Sequence, residues 1–199
     1  MIAAASRALY RVSRGWVVLA SSAVFVLFTV TVLPAQADRA KEYAGGGPTP
    51  DTSFFYSASD LYRWAEAFGA DGRSDYIQAR FTFDLLWPLV YTVFLATLLS
   101  WLLVRAVPAT SRWRLLNLLP VLALLCDYAE NVGASIVIAR FPSNTPVLAD
   151  LTTVFTMLKW ISLSAAFALV PVVGVIALVR RGRTDTPLLD PPTPKEEAV

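Results

Sequence analysis

Four long apolar stretches constrain the fold of this chain more than any other feature of its sequence. They cover residues 15–33, 81–104, 115–139 and 151–179. A helix needs about 20 apolar residues to cross the hydrocarbon core of a bilayer, so each stretch is long enough to span it. The chain is 56% hydrophobic and 16% charged, which is too apolar a balance for a soluble domain of 199 residues. The sequence therefore predicts an all-α, polytopic membrane protein with a four-transmembrane-helix bundle.

The first apolar stretch supports two interpretations. Residues 1–14 carry Arg7, Arg11 and Arg14, and the stretch is followed by the small-residue sequence Ala35-Gln36-Ala37. A basic start, an apolar run and such a site are typical of a cleaved signal peptide. The run is nevertheless longer than the roughly 7–15 residues of a signal-peptide core, which favours a retained helix. We predict a retained first span and keep the cleaved signal peptide as the alternative.

Residues 34–80 form a polar segment between the first two spans. A glycine- and proline-rich break is followed by Ser57 and Asp60, whose spacing is that of a capping box at the start of a helix. Apolar residues at helical spacing then predict a short amphipathic helix at about 57–69, packed over the membrane-embedded part. We expect a turn at residues 70–74, because glycine, aspartate and serine are typical turn residues.

The distribution of basic residues predicts the orientation of the chain. Residues 1–14, the loop at 105–114 and the start of the tail at 180–199 carry arginines, whereas residues 34–80 mix both signs of charge. The positive-inside rule then places both termini in the cytoplasm and segments 34–80 and 140–150 outside the plasma membrane. We expect the proline-rich, charged tail to be disordered.

Charged residues in the third and fourth spans mark the candidate site. On a helix Asp127, Glu130 and Asn131 project from one face, and a charge inside a bilayer is costly unless it is paired or hydrated. Glu130 and Lys159 both lie about 12–14 Å below the outer surface at 1.5 Å per residue. We therefore predict a Glu130–Lys159 ion pair. Asp127, Glu130 and Lys159 are the candidate catalytic residues.

Further polar residues lie at similar depth on neighbouring helices or near the outer surface. The candidate ligand-binding residues are Asp84, Tyr91, Asn131, Thr156, Arg73 and Arg80. Two acids face one lysine inside the membrane, so one acid lacks a charged partner. It is either protonated, or a cation, water or a ligand completes the site. Arg73 and Arg80 suit an anionic head group, or serve as interfacial anchors.

The composition excludes several kinds of chemistry. The chain has no histidine and a single cysteine, Cys126. This excludes histidine-ligated haem, histidine-type zinc sites, Ser-His or Cys-His catalysis and an internal disulfide. We expect no cofactor, no metal and no nucleic-acid partner. The expected partners are the lipid bilayer, a lipid-like small molecule, and either further copies of the chain or another membrane protein.

Several short motifs between residues 72 and 160 carry a resemblance. They are Gly72-Arg73-x-x-Tyr76, Asp84-x-x-x-Pro88-x-x-Tyr91, Leu119-Pro120, Asp127-x-x-Glu130-Asn131 and Lys159-Trp160. Together they resemble a family of small four-span bacterial membrane proteins without an assigned activity. The resemblance implies a four-helix bundle with a shared polar site and supplies no substrate. The layout is similar, far more weakly, to the emopamil-binding sterol isomerases, from which no residue is carried over.

Three functions fit these observations. The first is an intramembrane polar pocket in the outer half of the bundle that binds or transforms a lipid-like or amphipathic small molecule by acid/base chemistry. The second is an accessory or assembly subunit of a membrane complex, in which the Glu130–Lys159 pair is structural. The third is a proton- or cation-coupled carrier acting as an oligomer. Whether the protein is an enzyme stays open, and we rank the pocket first.

Overall fold

The computed structural model describes residues 1–184, and this part of the chain contains α-helices and two short 3-10 helices but no β-strand. The α-helices are α1 (Ile2–Val12), α2 (Gly15–Thr31), α3 (Leu33–Tyr43), α4 (Ala58–Ala67), α5 (Gly69–Arg80), α6 (Phe83–Ala106), α7 (Leu119–Arg140) and α8 (Pro146–Thr184). The 3-10 helices are Pro50–Thr52 and Arg112–Leu118. The prediction of an all-α fold is confirmed.

Four helical stretches are long and apolar enough to cross a membrane: Gly15–Tyr43, Gly69–Ala106, Arg112–Arg140 and Pro146–Arg181. The protein is therefore a four-helix membrane bundle. The helices extend beyond the apolar stretches seen in the sequence. In particular, α8 continues to Thr184 and so includes the first residues of the predicted tail. The rest of that tail, residues 185–199, lies outside the described residues.

The two ends of the bundle differ in the segments that cover them. One end, which we call the loop end, carries α3, α4, α5 and the connection between α7 and α8. The other end, which we call the arginine-rich end, carries α1, the connection between α6 and α7, and the last turns of α8.

A polar layer separates two apolar clusters inside the bundle. The cluster near the loop end is built around Leu61, Tyr76, Val137, Ile138 and Ala149. The cluster near the arginine-rich end is built around Leu95, Leu99, Leu103, Ala123 and Ala166. Between them, α7 and α8 place buried polar side chains, and this position makes the layer the candidate site.

Helices α7 and α8 pack closely against each other. A five-residue connection, 141–145, makes them adjacent and antiparallel. Gly133 of α7 faces Thr152 of α8, and a Cβ atom added at Gly133 would collide with the Thr152 hydroxyl oxygen. Small residues of this kind let transmembrane helices approach closely. The close approach sets which polar residues of the two helices meet.

The start of α4 follows the sequence prediction. Asp60 N–H donates to Ser57 Oγ (3.2 Å), and Ser57 N–H donates to an Asp60 carboxylate oxygen (2.8 Å), so the predicted capping box is confirmed. The hydrogen bonds that Ser57 N–H and Ser57 Oγ donate to the Asp60 carboxylate lower the pKa of Asp60. Gly69 ends the helix with a φ of 64°, a left-handed conformation that glycine adopts without strain.

The predicted turn at residues 70–74 is wrong, because this segment belongs to α5. The structure gives the physical reason at Gly72. A Cβ atom there would lie 2.8 Å from the Tyr43 carbonyl oxygen, so the glycine permits α3 and α5 to touch. The chain turns instead at residues 81–82, between α5 and α6.

Helix α1, which the sequence analysis did not anticipate, docks on the arginine-rich end through hydrogen bonds. Ser6 Oγ donates to Asn117 Oδ1 (2.8 Å), and Asn117 Nδ2 donates to Ser100 Oγ (3.0 Å). Tyr10 OH donates to the Arg114 carbonyl (2.6 Å), and burial raises the pKa of Tyr10 to about 12. These hydrogen bonds join α1 to the 3-10 helix before α7, and Asn117 joins that 3-10 helix to α6.

Candidate functional site

The predicted ion pair between the third and fourth spans is confirmed. Lys159 Nζ lies 2.5 Å from Glu130 Oε2, and the Glu130 side chain is fully buried while that of Lys159 is 6% exposed. The antiparallel packing of α7 on α8 brings the two residues to one level. Buried charges persist when each meets an opposite charge at hydrogen-bond distance, as here.

Asp127 receives hydrogen bonds from two uncharged groups. Tyr91 OH on α6 donates to Asp127 Oδ2 (2.9 Å), and Asn131 Nδ2, one turn along α7, donates to Asp127 Oδ1 (3.1 Å). Three residues named as site candidates therefore meet in one buried group. The Leu85 carbonyl, in the turn before Pro88, accepts a hydrogen bond from Tyr128 OH (2.8 Å), so α6 and α7 are also joined beside this group.

Arg80 forms a second charged group at the break between α5 and α6. Its guanidinium pairs with Asp84 at 2.7 Å and with Asp51, which lies in the 3-10 helix of the connection after α3. The guanidinium carbon also lies 4.6 Å from the centre of the Tyr76 ring, a cation–π contact. Arg80 is 5% exposed and thus ties the connecting segment to the bundle.

The remaining two candidates contact other elements. Arg73 donates to the Ala65 carbonyl (3.0 Å) and lies over the Phe141 ring at 5.2 Å, so it joins α4, α5 and the α7–α8 connection. Thr156 shares a 2.9 Å hydrogen bond with Tyr56 OH. Burial raises the pKa of Tyr56 far above the usual tyrosine range, so this phenol stays neutral.

A cavity of about 400 Å³ lies between α3, the Pro50–Thr52 turn, the α5–α6 break and α8. Its charged lining residues are Asp51, Arg80 and Asp84, two acids and one base. Apolar and aromatic side chains form much of the remaining wall, among them Leu33, Phe83, Trp87, Trp160, Leu163 and Phe167. The cavity therefore combines a charged patch with an apolar surface.

Three buried polar atoms of the lining residues have neither a hydrogen-bond partner nor an ion-pair partner within the described residues. They are Asp51 Oδ2, Arg80 Nε and Trp160 Nε1. Each of these atoms is almost completely inaccessible, so they are buried polar groups inside the cavity wall and are not open to a molecule in the cavity.

The three candidate catalytic residues do not line this cavity. Of the predicted site residues, its wall contains Arg80 and Asp84, whereas Asp127, Glu130 and Lys159 lie outside the lining set. Most of the sequence candidates thus belong to one of two groups. One is buried within α6, α7 and α8, and the other, Arg80 and Asp84, lines the cavity. No cluster of three cysteine, aspartate or glutamate side chains that could hold a metal ion occurs among residues 1–184.

Asp51 and Tyr56 are the site residues that the sequence analysis missed. Both lie in the segment between α3 and α4, which has neither a helical nor a strand period. Each reaches a residue far along the chain, Arg80 in one case and Thr156 in the other. The sequence does not single out either residue, because Arg80 already has Asp84 four positions along the chain as a partner.

No family model, no curated protein and no solved structure matches the chain. Membership of the small four-span bacterial family, which the short motifs predict, stays a prediction.

Proposed function

We propose that this membrane protein binds a lipid-like, amphipathic small molecule in the cavity between α3, α6 and α8. The polar head of the molecule contacts Asp51, Arg80 and Asp84. Its apolar part lies against the aromatic and aliphatic wall that includes Phe83 and Trp87.

The observation that carries this proposal is the mixed character of the cavity lining. Small-molecule sites are concave, mostly apolar and supplied with a few polar groups that fix orientation, and volumes of about 300–1,000 Å³ are typical. A cavity of about 400 Å³ with one charged patch has these properties.

The charge of the lining favours one class of head group. Arg80 is already paired with both Asp51 and Asp84, so the patch has no unpaired positive charge to offer. This argues against the anionic head group that Arg73 and Arg80 suit from sequence alone. A positive charge, or a neutral group with hydrogen-bond donors, complements two carboxylates and the neighbouring aromatic rings.

We propose that the cavity binds a ligand, and we assign no catalytic step to it. The acid/base role predicted for Asp127, Glu130 and Lys159 requires contact with the ligand, and none of the three lines the cavity. We infer instead that these residues hold α6, α7 and α8 together beneath the cavity floor. From the arginine distribution we further infer that the loop end faces outward from the plasma membrane and that both termini are cytoplasmic.

Native mass spectrometry in a mild detergent, with lipid analysis of the released molecules, tests the proposal. Ala37 lines the cavity from α3, so Ala37→Phe fills part of it. Ala35→Phe places the same side chain on the same helix outside the lining and is the matched control.

We expect a defined amphipathic species on the parent protein and on Ala35→Phe, and about tenfold lower occupancy on Ala37→Phe. Equal helicity and equal migration in size exclusion establish that all three proteins are folded. Bulk lipid without a defined species, or equal retention by the two variants, would contradict the proposal and favour an accessory-subunit role.

A further inference from the structure

A second cavity lies at the arginine-rich end, far from the one described above. It has a volume of about 660 Å³ and lies in a groove between the last turns of α6 and those of α8. Leu102, Ala177 and Leu178 give it an apolar wall. Arg105, Arg180 and Arg181 lie along its rim. This groove therefore combines an apolar surface with positively charged side chains.

The segments around this groove contain no acidic residue. Residues 1–37, 85–126 and 151–184 carry arginines and Lys159 but neither aspartate nor glutamate. Arg105 and Arg180 therefore have no acid beside them in the stretches of α6 and α8 that form the groove. The four acids of residues 185–199 lie outside the described part of the chain.

One arginine of the rim is held in place by its own helix. Arg105 Nη1 donates to the Trp101 carbonyl (2.6 Å), and the guanidinium carbon lies 3.7 Å from the centre of the Trp101 ring. A guanidinium has five N–H donors, so this hydrogen bond leaves others for a ligand. The stacked position lowers the entropy cost of binding an anion.

Gly174 opens the floor of the groove. A Cβ atom added at this position would meet no atom within 4 Å. The glycine is therefore not explained by a close contact with a neighbouring helix, in contrast to Gly72 and Gly133. Its effect is to widen the space between α6 and α8.

We propose that this groove binds one anionic phospholipid. Its phosphate oxygens accept hydrogen bonds from Arg105 and Arg180, and the first part of an acyl chain lies along Leu102, Gly174 and Ala177. Arginine suits phosphate because its planar fork donates two parallel hydrogen bonds. Basic pockets between transmembrane helices are the type of site that recognises anionic head groups.

Two pairs of variants of the full-length protein separate a built site from a general attraction of arginines to the membrane. Gly174→Phe fills the groove, and Val172→Phe places the same side chain on a nearby lipid-exposed position outside the lining. Arg105→Gln removes a charge from the rim, and Arg112→Gln removes one from the same end of the bundle outside this groove.

Native mass spectrometry with equal amounts of phosphatidylglycerol and phosphatidylcholine in the detergent gives the occupancy. We expect one phosphatidylglycerol adduct on the parent, about tenfold less on Gly174→Phe and on Arg105→Gln, and a change below about twofold on each control. An equal loss on both arginine variants would show diffuse electrostatics and overturn the proposal. Full retention by Gly174→Phe, or no preference for the anionic lipid, would also overturn it.

Discussion

At the scale of single residues, the pairing of Glu130 with Lys159 has the largest consequence for stability. Both side chains are almost completely buried, and their charged atoms are 2.5 Å apart. Removal of one partner leaves the other charge in a medium that cannot solvate it, which costs about 3–5 kcal/mol in proteins. Replacement of both partners by apolar groups of similar volume removes that penalty.

Lys159→Met alone and Glu130→Leu alone are each expected to lower the free energy of unfolding by about 3–5 kcal/mol, and Glu130→Leu/Lys159→Met by much less. Unfolding of the purified proteins in a detergent titration measures all three values. If the double variant lost the sum of the two single losses, the residues would act independently and the pair would not be a unit.

The Glu130–Lys159 pair could be predicted from the sequence, whereas the contact between Arg80 and Asp51 could not. Counting residues inward from the short α7–α8 connection put Glu130 and Lys159 at one depth, because helix rise converts position into distance. Asp51 lies in a segment without periodicity, so no such count applies to it. Its contact with Arg80 is set by the path of the connection after α3.

At the scale of helices, Gly133 controls how closely α7 and α8 approach. Gly133→Ala forces a Cβ into the Thr152 hydroxyl, and overpacking of this kind costs about 1–3 kcal/mol. Gly133→Ala/Thr152→Ala removes the obstructing atom and is expected to recover much of the loss. Gly174→Ala is the matched control, since open space surrounds that position and alanine favours helix by about 1 kcal/mol.

Thermal unfolding followed by circular dichroism ranks these variants. We expect Gly133→Ala to be the least stable, the double variant to be intermediate and Gly174→Ala to match the parent or exceed it. A Gly133→Ala protein as stable as the parent would mean that the two helices separate at no cost.

Helices α4 and α5 show why turn-forming residues led to a wrong prediction from the sequence. Glycine, aspartate and serine at 69–74 have the composition of a turn, and Gly69 does end α4 with a positive φ. Gly72, three residues later, is helical and lies against the Tyr43 carbonyl. Local composition cannot distinguish a glycine required by conformation from one required by a neighbouring helix, because the neighbour is distant in sequence.

At the scale of the whole molecule, the two ends of the bundle differ in charge. The loop end contains both signs, and the arginine-rich end has no acid in the segments that form it between residues 1 and 184. By the positive-inside rule, this difference predicts that the arginine-rich end faces the cytoplasm. Phe55 at the loop end and Thr110 at the other are both exposed.

Labelling of intact cells with a membrane-impermeant maleimide tests this orientation. The background is Cys126→Ala, which removes the single, buried cysteine of the chain. We expect Phe55→Cys to react in intact cells and Thr110→Cys to react only after the membrane is permeabilised. The reverse pattern would place the arginine-rich end outside and contradict the proposed topology.

The most direct measurement of the central claim is an experimental structure of the full chain in a lipid nanodisc, solved for the parent and for Ala37→Phe. Binding in the cavity predicts continuous elongated density in the parent, with its polar end about 3 Å from Asp51, Arg80 or Asp84, and its loss in the variant. A cavity closed by its own side chains, or one that holds only separate waters in both proteins, would contradict the proposed binding function.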